Sequence, residues 1–327
     1  EVVKKGRVGP GELMVIDTEK GRILQSEETD NDLQKRHPYK VWMSKNVKRL
    51  TPYEDLPDEH LGQRNFDDVT LATYQKQFGY SFEELDQVLR VLGENGYEAT
   101  GSMGDDTPFA VLSSRPRIIY DYFRQKFAQV TNPPIDPLRE AHVMSLATSI
   151  GREMNVFAEA EGQAHRVSFK SPVLLYSDFQ QLTTLESKYY QTDVLDITYE
   201  IDGSLSDAIE QLCGDAENKV RAGAVLLVLS DKNIAADRLP IPAPMAVGAV
   251  QQRLVEQNLR CDANIIVETA SCRDPHQFAV LIGFGATAVY PYLVYETLAQ
   301  MIDHGTINKN YRSVMLNYRN GINKGLY

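Results

Sequence analysis

The sequence predicts an α/β fold in which the second half forms a partial β/α (TIM-like) barrel and the first half is more helical. In the second half, four apolar runs rich in β-branched residues alternate with four helical patterns. Elements that alternate in this way form parallel strands with crossover helices. A complete barrel needs eight such units, so four units predict a rudimentary barrel.

Each predicted strand of this half is followed by one predicted helix, which is the repeating unit of a β/α barrel. The strands are residues 195–201, 224–229, 263–267 and 286–290. The helices are residues 205–221, 244–259, 275–282 and 292–302.

The first 66 residues predict a hairpin and a connector. Residues 11–17 and 21–24 contain two short apolar runs separated by a polar turn, a pattern typical of a β-hairpin. Residues 25–66 are charged and contain prolines, so we predict a connector that lies mostly on the surface.

Helices are predicted between the connector and the barrel half. The first spans residues 67–78, and the second begins at Ser81, which forms a capping box with Glu84. Apolar residues then repeat at helical spacing until glycines end the helix.

Two more helices are predicted before the barrel half, at residues 118–127 and 136–154. Asp136 is the expected N-cap of the later helix. Pro137 then occupies the first helical position, where its missing N–H group costs no hydrogen bond.

Composition argues against nucleic-acid binding and against a membrane span. The chain has 327 residues, 43% of them hydrophobic, and a formal net charge of −11. This length and hydrophobic content can bury a substantial core, while the negative charge argues against nucleic-acid binding. No run of 18 apolar residues is present, so we predict no membrane span.

The three cysteines indicate a reducing compartment, and we predict a cytoplasmic protein. Cys213, Cys261 and Cys272 are odd in number and widely spaced, which does not fit a disulfide framework. The absence of a signal peptide and the abrupt ends of the sequence predict an internal fragment of a longer chain.

Two groups of residues could carry chemistry in a barrel. The turn 283–287, bounded by Gly283 and Thr287, has glycines that could let backbone N–H groups approach a phosphate. It precedes a strand, however, whereas dinucleotide fingerprints follow one, so a helix C-cap is the favoured interpretation. Asp231 and Glu268 follow predicted strands, where barrel enzymes place catalytic groups, although carboxylates there also cap helices.

No metal or cluster site is predicted. His276 begins a predicted helix, and the other histidines lack the spacing of metal ligands. Ligands of iron–sulfur clusters usually come as closely spaced cysteines, which this chain does not have. We therefore expect the cysteines to be small buried hydrophobic residues.

Several long runs of the chain resemble the large subunit of glutamate synthase, and the resemblance extends over almost the whole sequence. The matching runs are residues 104–113, 115–123, 130–137, 264–270, 283–287 and 317–327.

The resemblance implies the central domain of that enzyme, a rudimentary barrel without bound flavin, between a glutamine amidotransferase domain and an FMN-binding domain. It implies that residues 1–66 are the tail of the amidotransferase domain and a connector, 67–310 the central domain, and 311–327 the start of the FMN-binding domain. The glutaminase nucleophile of the family is an N-terminal cysteine, but residue 1 here is Glu. No catalytic, flavin or cluster residue is therefore carried over.

The resemblance also implies a role in the whole enzyme, which makes L-glutamate from L-glutamine and 2-oxoglutarate. The parent is expected to contain FMN and an iron–sulfur cluster, to use NADPH, and to bind a small (beta) subunit. Glycine- and proline-rich loops at 101–109 and 130–140 suit a guarded passage, and Thr131 and Asn132 resemble the segment that lines the family's ammonia channel.

Two alternatives remain open from the sequence. One is an independent barrel enzyme that binds a phosphorylated small molecule at the turn 283–287 and uses Asp231 or Glu268 as acid or base. The other is a docking scaffold for another subunit.

Overall fold

A parallel β-sheet and the helices that follow its strands form the centre of the molecule. The computed structural model describes residues 1–2, 5–100, 112–114, 117–124, 135–185 and 189–327. The strands are β1 (Val15–Asp17), β2 (Arg22–Leu24), β3 (Lys48–Arg49), β4 (Thr148–Ile150), β5 (Val167–Phe169), β6 (Thr192–Asp196), β7 (Thr198–Glu200), β8 (Leu226–Ser230), β9 (Arg238–Pro240), β10 (Asn264–Glu268) and β11 (Ala288–Tyr290).

The α-helices lie before, between and after the strands along the chain. They are α1 (Ser26–Arg36), α2 (Tyr39–Asn46), α3 (Asp68–Gln77), α4 (Arg90–Asn95), α5 (Pro137–Val143), α6 (Tyr176–Thr183), α7 (Leu205–Arg221), α8 (Ala243–Glu256), α9 (Pro275–Gly283), α10 (Tyr292–Asp303) and α11 (Tyr311–Leu326). Within the described ranges, none of these helices combines the length and the apolar composition needed to cross a bilayer.

Four strands of the second half form one parallel sheet in the order β11-β10-β8-β6. Ile266 of β10 lies between Val228 of β8 and Ala288 of β11. Strands β8, β10 and β11 are buried along their whole length, as expected for parallel strands covered on both faces. Each strand leads to one of the helices α7 to α10. The prediction of a partial β/α barrel is therefore confirmed. Its four strands form an open parallel sheet.

The predicted single strand 195–201 is wrong, because the chain leaves the central sheet in its middle. Strand β6 ends at Asp196, and β7 instead pairs antiparallel with β9 in a separate two-stranded sheet. The Asp196 carboxylate accepts a hydrogen bond of 2.9 Å from the backbone N–H of Thr198, and this local turn redirects the chain.

The hairpin prediction is confirmed, and residues 25–66 lie mostly on the surface as predicted, although they also form helices. Strands β1 and β2 pair antiparallel, with Ile16 opposite Ile23. Residues 25–66 contain α1 and α2, and they bury Tyr53 and Leu61 in the core. Charge alone did not reveal these helices, because α1 has no buried residue and so lacks an apolar face in the sequence.

Arg312 of α11 holds the segment 53–58 in place. Its guanidinium donates hydrogen bonds to the carbonyls of Tyr53 at 2.7 Å and Leu56 at 2.6 Å, and pairs with Asp58 at 2.7 Å. Glu296 of α10 similarly accepts the backbone N–H of Asn65 at 2.8 Å. These long-range contacts, which the local sequence cannot show, bind the predicted connector to the core.

The helical pair that follows the connector is confirmed. Helix α3 begins after the N-cap Asp67, and a wide helical turn at Glu84–Leu89 leads into α4. Ser81 and Glu84 form the predicted capping box, since each side chain accepts the other residue's backbone N–H, at 3.1 and 3.0 Å.

The two helices predicted before the barrel half are shorter than expected. In residues 117–124 only the turn Ile119–Tyr122 is helical, and Phe123 is extended. The Asp136 carboxylate caps α5 as predicted, by accepting the N–H groups of Leu138 and Arg139. The helix predicted at 136–154 ends at Val143, because residues 148–150 pair with β5 as strand β4 instead. Sheet pairing therefore outweighs the helical pattern there.

Helix α11 packs closely against α4. The Asn317 side chain donates to the carbonyls of Gly93 and Glu94 at 3.0 and 2.9 Å, which satisfies acceptors that the end of α4 leaves free. A Cβ atom at Gly321 would lie 2.5 Å from the Leu92 side chain and 3.2 Å from the Tyr97 backbone nitrogen, so the glycine helps the two helices to approach closely. The domain boundary at residue 310 stays a prediction.

A buried arginine joins the helical half to the sheet half. Arg273 is 2% exposed and lies in the loop after β10. Its guanidinium donates to Glu84 at 2.9 Å, to the Phe78 carbonyl at 3.1 Å and to the Gly79 carbonyl at 3.3 Å, and it lies 4.3 Å from the centre of the Tyr80 ring. The same Glu84 belongs to the capping box, so one carboxylate joins the helix start to the arginine.

We expect Arg273→Met to destabilise the fold by about 3 kcal/mol, because it leaves Glu84 and two carbonyls without their donor. The control is Arg221→Met, which removes a half-exposed pair with Glu217 and should cost less than about 0.5 kcal/mol. Urea unfolding of both variants measures the difference, and equal midpoints would contradict the role assigned to Arg273.

Candidate functional site

The carboxyl end of the parallel sheet borders a cavity of about 700 Å³. Its wall is formed by the end of α3, the turn Ile119–Tyr122, the start of α8 and the loop after β10. The polar and charged lining residues are Lys76, Gln77, Glu84, Arg117, Tyr120, Asp121, Tyr122, Asp231, Ser271 and Arg273. In β/α barrels this edge is where functional groups gather, so the cavity is the candidate site.

Asp231 lies directly after β8 and is almost completely buried at 1% exposure. The hydroxyl of Thr269 donates to its carboxylate, and the Ala270 N–H group donates to both carboxylate oxygens, at 3.0 and 3.2 Å. All of these donors are neutral. Within the described part of the chain, the Asp231 carboxylate forms no salt bridge.

Burial raises the pKa of Asp231 to about 7, because the charged form loses its hydration. The Thr269 hydroxyl and the Ala270 N–H group oppose this rise by stabilising the charged form. The nearby hydroxyl of Tyr292 lowers the pKa of Asp231 as well. This hydroxyl forms no hydrogen bond with a described residue. Asp231 therefore changes charge near neutral pH.

A chain of hydroxyl groups links Asp231 to the cavity wall. The Thr269 hydroxyl lies 2.8 Å from that of Ser271, which in turn lies 3.0 Å from the hydroxyl of Tyr120. Thr269 and Tyr120 are buried, whereas Ser271 is half-buried and lines the cavity. Each hydroxyl can donate or accept, so the chain can reverse its direction when Asp231 gains or loses a proton.

Glu268 lies at the end of the neighbouring strand β10, as the sequence predicted. Its carboxylate accepts the Ser230 hydroxyl at 2.7 Å and lies 3.8 Å from the Lys232 ammonium group. The Asp231 N–H group donates to the Glu268 carbonyl at 3.2 Å. The structure thus brings the two predicted carboxylates together at adjacent strand ends, but only Asp231 borders the cavity.

The turn 283–287 is not an anion cradle. The backbone N–H groups of Phe284, Gly285, Ala286 and Thr287 already donate to carbonyls, at distances of 2.7 to 3.0 Å. Arg260 also donates to the Gly285 carbonyl at 3.1 Å. With these donors occupied, the turn is the end of a helix. The alternative hypothesis of a barrel enzyme that binds a phosphorylated molecule therefore has no anion site here.

The remaining residues that the sequence singled out either have structural contacts or lie outside the described part of the chain. His276 contacts the Tyr120 carbonyl through Nε2 at 3.0 Å and so supports the turn Ile119–Tyr122. Cys213 and Cys272 are buried as expected, but Cys261 is exposed. Thr131 and Asn132 lie outside the described residues, as does the loop 101–109.

The residues do not fit the iron–sulfur cluster that the resemblance implies for the parent enzyme. No group of three His, Cys, Asp or Glu side chains in the described ranges is arranged to hold a metal ion. Burial raises the pKa of the Cys213 and Cys272 thiols, which disfavours the thiolate form that ligates metals.

Sequence reasoning missed Thr269, Ser271, Tyr120 and Arg273. Three of them lie within five residues after β10, in the segment Thr-Ala-Ser-Cys-Arg. The rule that loops after parallel strands meet at one edge could have drawn attention to these three. Nothing in the local sequence indicated Tyr120, which is 151 positions from its partner Ser271.

Two family models match the chain in consecutive order. The model described as the glutamate synthase central domain matches residues 73–327, and the model described as class-II glutamine amidotransferases matches residues 1–42.

Full-length relatives match along almost the whole chain. The glutamate synthase [NADPH] large chain of Bacillus subtilis is 36% identical over 99% of this chain and 21% of its own length. A ferredoxin-dependent chloroplastic glutamate synthase of Oryza sativa is 40% identical over 94% of this chain and 19% of its own length. The NADH glutamate synthase of Saccharomyces cerevisiae is 35% identical over 99% of this chain and 16% of its own length. The chain thus spans about a fifth of the length of these relatives.

Solved structures add little to these matches. A flavocytochrome b2 with sulfite bound aligns with 48% of this chain and 34% of its own, at 15% identity and a TM-score of 0.30. A likeness of this size carries no argument, so the fold assignment depends on the sheet described above.

We expect the Asp231 carboxyl to make the fold less stable as pH rises. The folded pKa is about 7 and the ordinary value is 3.8, so between these values the unfolded chain releases a proton that the folded chain keeps. Stability contributed by the neutral carboxyl is complete below about pH 4 and is lost by about pH 7, a change of about 4 kcal/mol.

Asp231→Asn removes this titration, and the asparagine can still accept the Ala270 N–H group. From about pH 4 to pH 7, the free energy of unfolding of the variant should therefore increase relative to that of the native chain. Urea unfolding at several pH values measures the difference, and the values at about pH 4 serve as the internal control. A difference that is constant with pH would show that Asp231 does not titrate in this range.

Proposed function

The chain belongs to the glutamate synthase central domain family, and from this premise we propose that it connects the amidotransferase and FMN-binding domains of a glutamate synthase and helps line the passage that carries ammonia between them. The observation that carries the proposal is the order of the two family matches on one chain. Residues 1–42 match an amidotransferase, which releases ammonia from glutamine, and the central-domain match begins at residue 73 of the same chain. The chain itself carries out no bond-making step in this proposal.

The contacts of the described residues support a positioning role. The segment 53–58 follows the amidotransferase match, and Arg312 ties it to α11 through hydrogen bonds to three backbone carbonyls and one carboxylate. Arg319 of α11 also pairs with Asp178 of α6 at 3.2 Å, and both side chains are largely buried. Rigid links of this kind would hold the flanking domains at a constant separation.

The channel assignment depends on Thr131 and Asn132. A threonine hydroxyl and an asparagine amide can both hydrogen-bond neutral ammonia, and the following Pro133 and Pro134 restrict the backbone. The resemblance of this segment to the channel-lining segment of the family supports the assignment.

For the parent enzyme we infer conversion of L-glutamine and 2-oxoglutarate to L-glutamate with NADPH, FMN and an iron–sulfur cluster, in the cytoplasm and with a small subunit. The NADPH relative, which matches 99% of this chain, supports this inference. Relatives named for ferredoxin and NADH match comparably well. Supplying the purified parent with each donor in turn decides among them, and activity only with ferredoxin or NADH would contradict the NADPH assignment.

In the full-length enzyme, we expect Thr131→Ala and Asn132→Ala to uncouple the two half-reactions. Loss of the polar lining lets ammonia escape, so more glutamine is hydrolysed than glutamate is formed. The measurement compares both rates in one reaction mixture. Thr184→Ala, an exposed threonine at the end of α6, is the control and should stay coupled. Rates that remain locked one to one in both channel variants would remove the assignment.

A further inference from the structure

We propose that the cavity at the carboxyl edge of the sheet binds ammonium, and that the hydroxyl groups of Ser271 and Thr269 pass one of its protons to Asp231. The nitrogen compound then leaves the site as uncharged ammonia. The proposal rests on the ammonia passage proposed above and adds a proton acceptor to it. The site is formed entirely by described residues.

The buried carboxylate of Asp231 favours a small cation. Asp231 is 1% exposed, and its direct donors, the Thr269 hydroxyl and the Ala270 N–H group, are neutral. A buried carboxylate without a charged partner is costly, so it either takes up a proton or attracts a cation. Among the other charged groups on the wall, Arg273 pairs with Glu84 at 2.9 Å and Arg117 with Asp121 at 3.8 Å, whereas Lys76 is exposed to solvent at the end of α3.

The geometry provides a path between the cavity and the carboxylate. Ser271 is half-buried and lines the cavity, so a small molecule there can reach its hydroxyl. From Ser271 the path continues to Thr269 at 2.8 Å and from Thr269 to Asp231. The Ser271 N–H group donates to the Thr269 oxygen at 3.0 Å, and the Tyr120 hydroxyl lies 3.0 Å from Ser271. These contacts hold both hydroxyl groups in line.

The transfer is balanced in atoms and charge. One N–H bond of ammonium breaks as its proton passes to the Ser271 oxygen. The Ser271 hydrogen moves to Thr269, the Thr269 hydrogen moves to Asp231, and a new O–H bond forms on the carboxyl group. Ammonium and carboxylate thus become ammonia and a carboxylic acid, and both hydroxyl groups are regenerated with their hydrogen bonds reversed. Burial favours this direction because it removes two charges at once.

Most of the titratable groups around Asp231 are neutral near pH 7. Burial raises the pKa of the tyrosines and the cysteine around it, so these side chains stay neutral there. They are Tyr74 on α3, Tyr80, Tyr120, Cys272 and Tyr292. The neighbouring charges are Glu268, which raises the pKa of Asp231, Lys232, which lies beside Glu268, and Arg273, which faces Tyr80 and Tyr120.

The test uses the full-length parent enzyme and infrared difference spectroscopy. Ammonium chloride is added at about pH 8, where a group with a pKa of about 7 is mainly ionised. We expect a carboxylic-acid C=O band to appear. Potassium chloride is the matched probe, because potassium has a similar size to ammonium but carries no proton, and it should produce no band.

Variants assign the band to the proposed path. Asp231→Asn should abolish it, and Ser271→Ala should abolish it because the hydroxyl chain is broken. Ser271→Thr keeps a hydroxyl group and should restore it. Ser177→Ala is the control, because the buried Ser177 hydroxyl has no partner among the described residues. A band that persists in Asp231→Asn or Ser271→Ala, or that potassium also produces, would overturn the proposal.

The two sets of variants test the ammonium site and the ammonia passage independently. If Thr131→Ala uncouples the enzyme and ammonium produces no band, the passage stands and the proton acceptor is wrong. If Thr131→Ala leaves the enzyme coupled and the band appears with the expected variants, the ammonium site stands and the channel assignment is wrong.

Discussion

The buried guanidinium of Arg273 is the interaction on which the arrangement of the site depends. An arginine that is 2% exposed must have its donors satisfied, and this one reaches Glu84 and the carbonyls of Phe78 and Gly79. It thereby joins the end of α3 to the loop after β10. That loop also carries Thr269 and Ser271, so the position of the helical half and the position of the hydroxyl chain are set together.

The open sheet explains why a barrel-like edge can serve a purpose other than barrel catalysis. Its buried strands place Asp231 and Glu268 at neighbouring carboxyl ends, where a complete barrel would gather an active site. Here the cavity wall is instead closed by α3 and the turn Ile119–Tyr122, which come from the helical half. The edge places the buried Asp231 carboxyl group beside a chain of hydroxyls, and the proposed ammonium site depends on these groups.

Much of the fold was predictable because its patterns are local. Helix α7 was predicted at its observed bounds, and the capping box of Ser81 and Glu84 was found from a spacing of three residues. The errors occurred where distant contacts override local patterns. The helix predicted at 136–154 ends early because residues 148–150 pair with β5, and the strand predicted at 195–201 divides because β7 pairs with β9.

The sequence by itself determined the alternation of strands and helices, the parallel sheet and the strand-end positions of Asp231 and Glu268. These follow from hydrophobic periodicity and from chain order, which a single sequence contains. Only the tertiary structure decided that Asp231 meets Thr269, 38 positions away, and that Tyr120 meets Ser271, 151 positions away. The physical reason is that such contacts depend on strand register and on packing between the two halves, which no local window of sequence specifies.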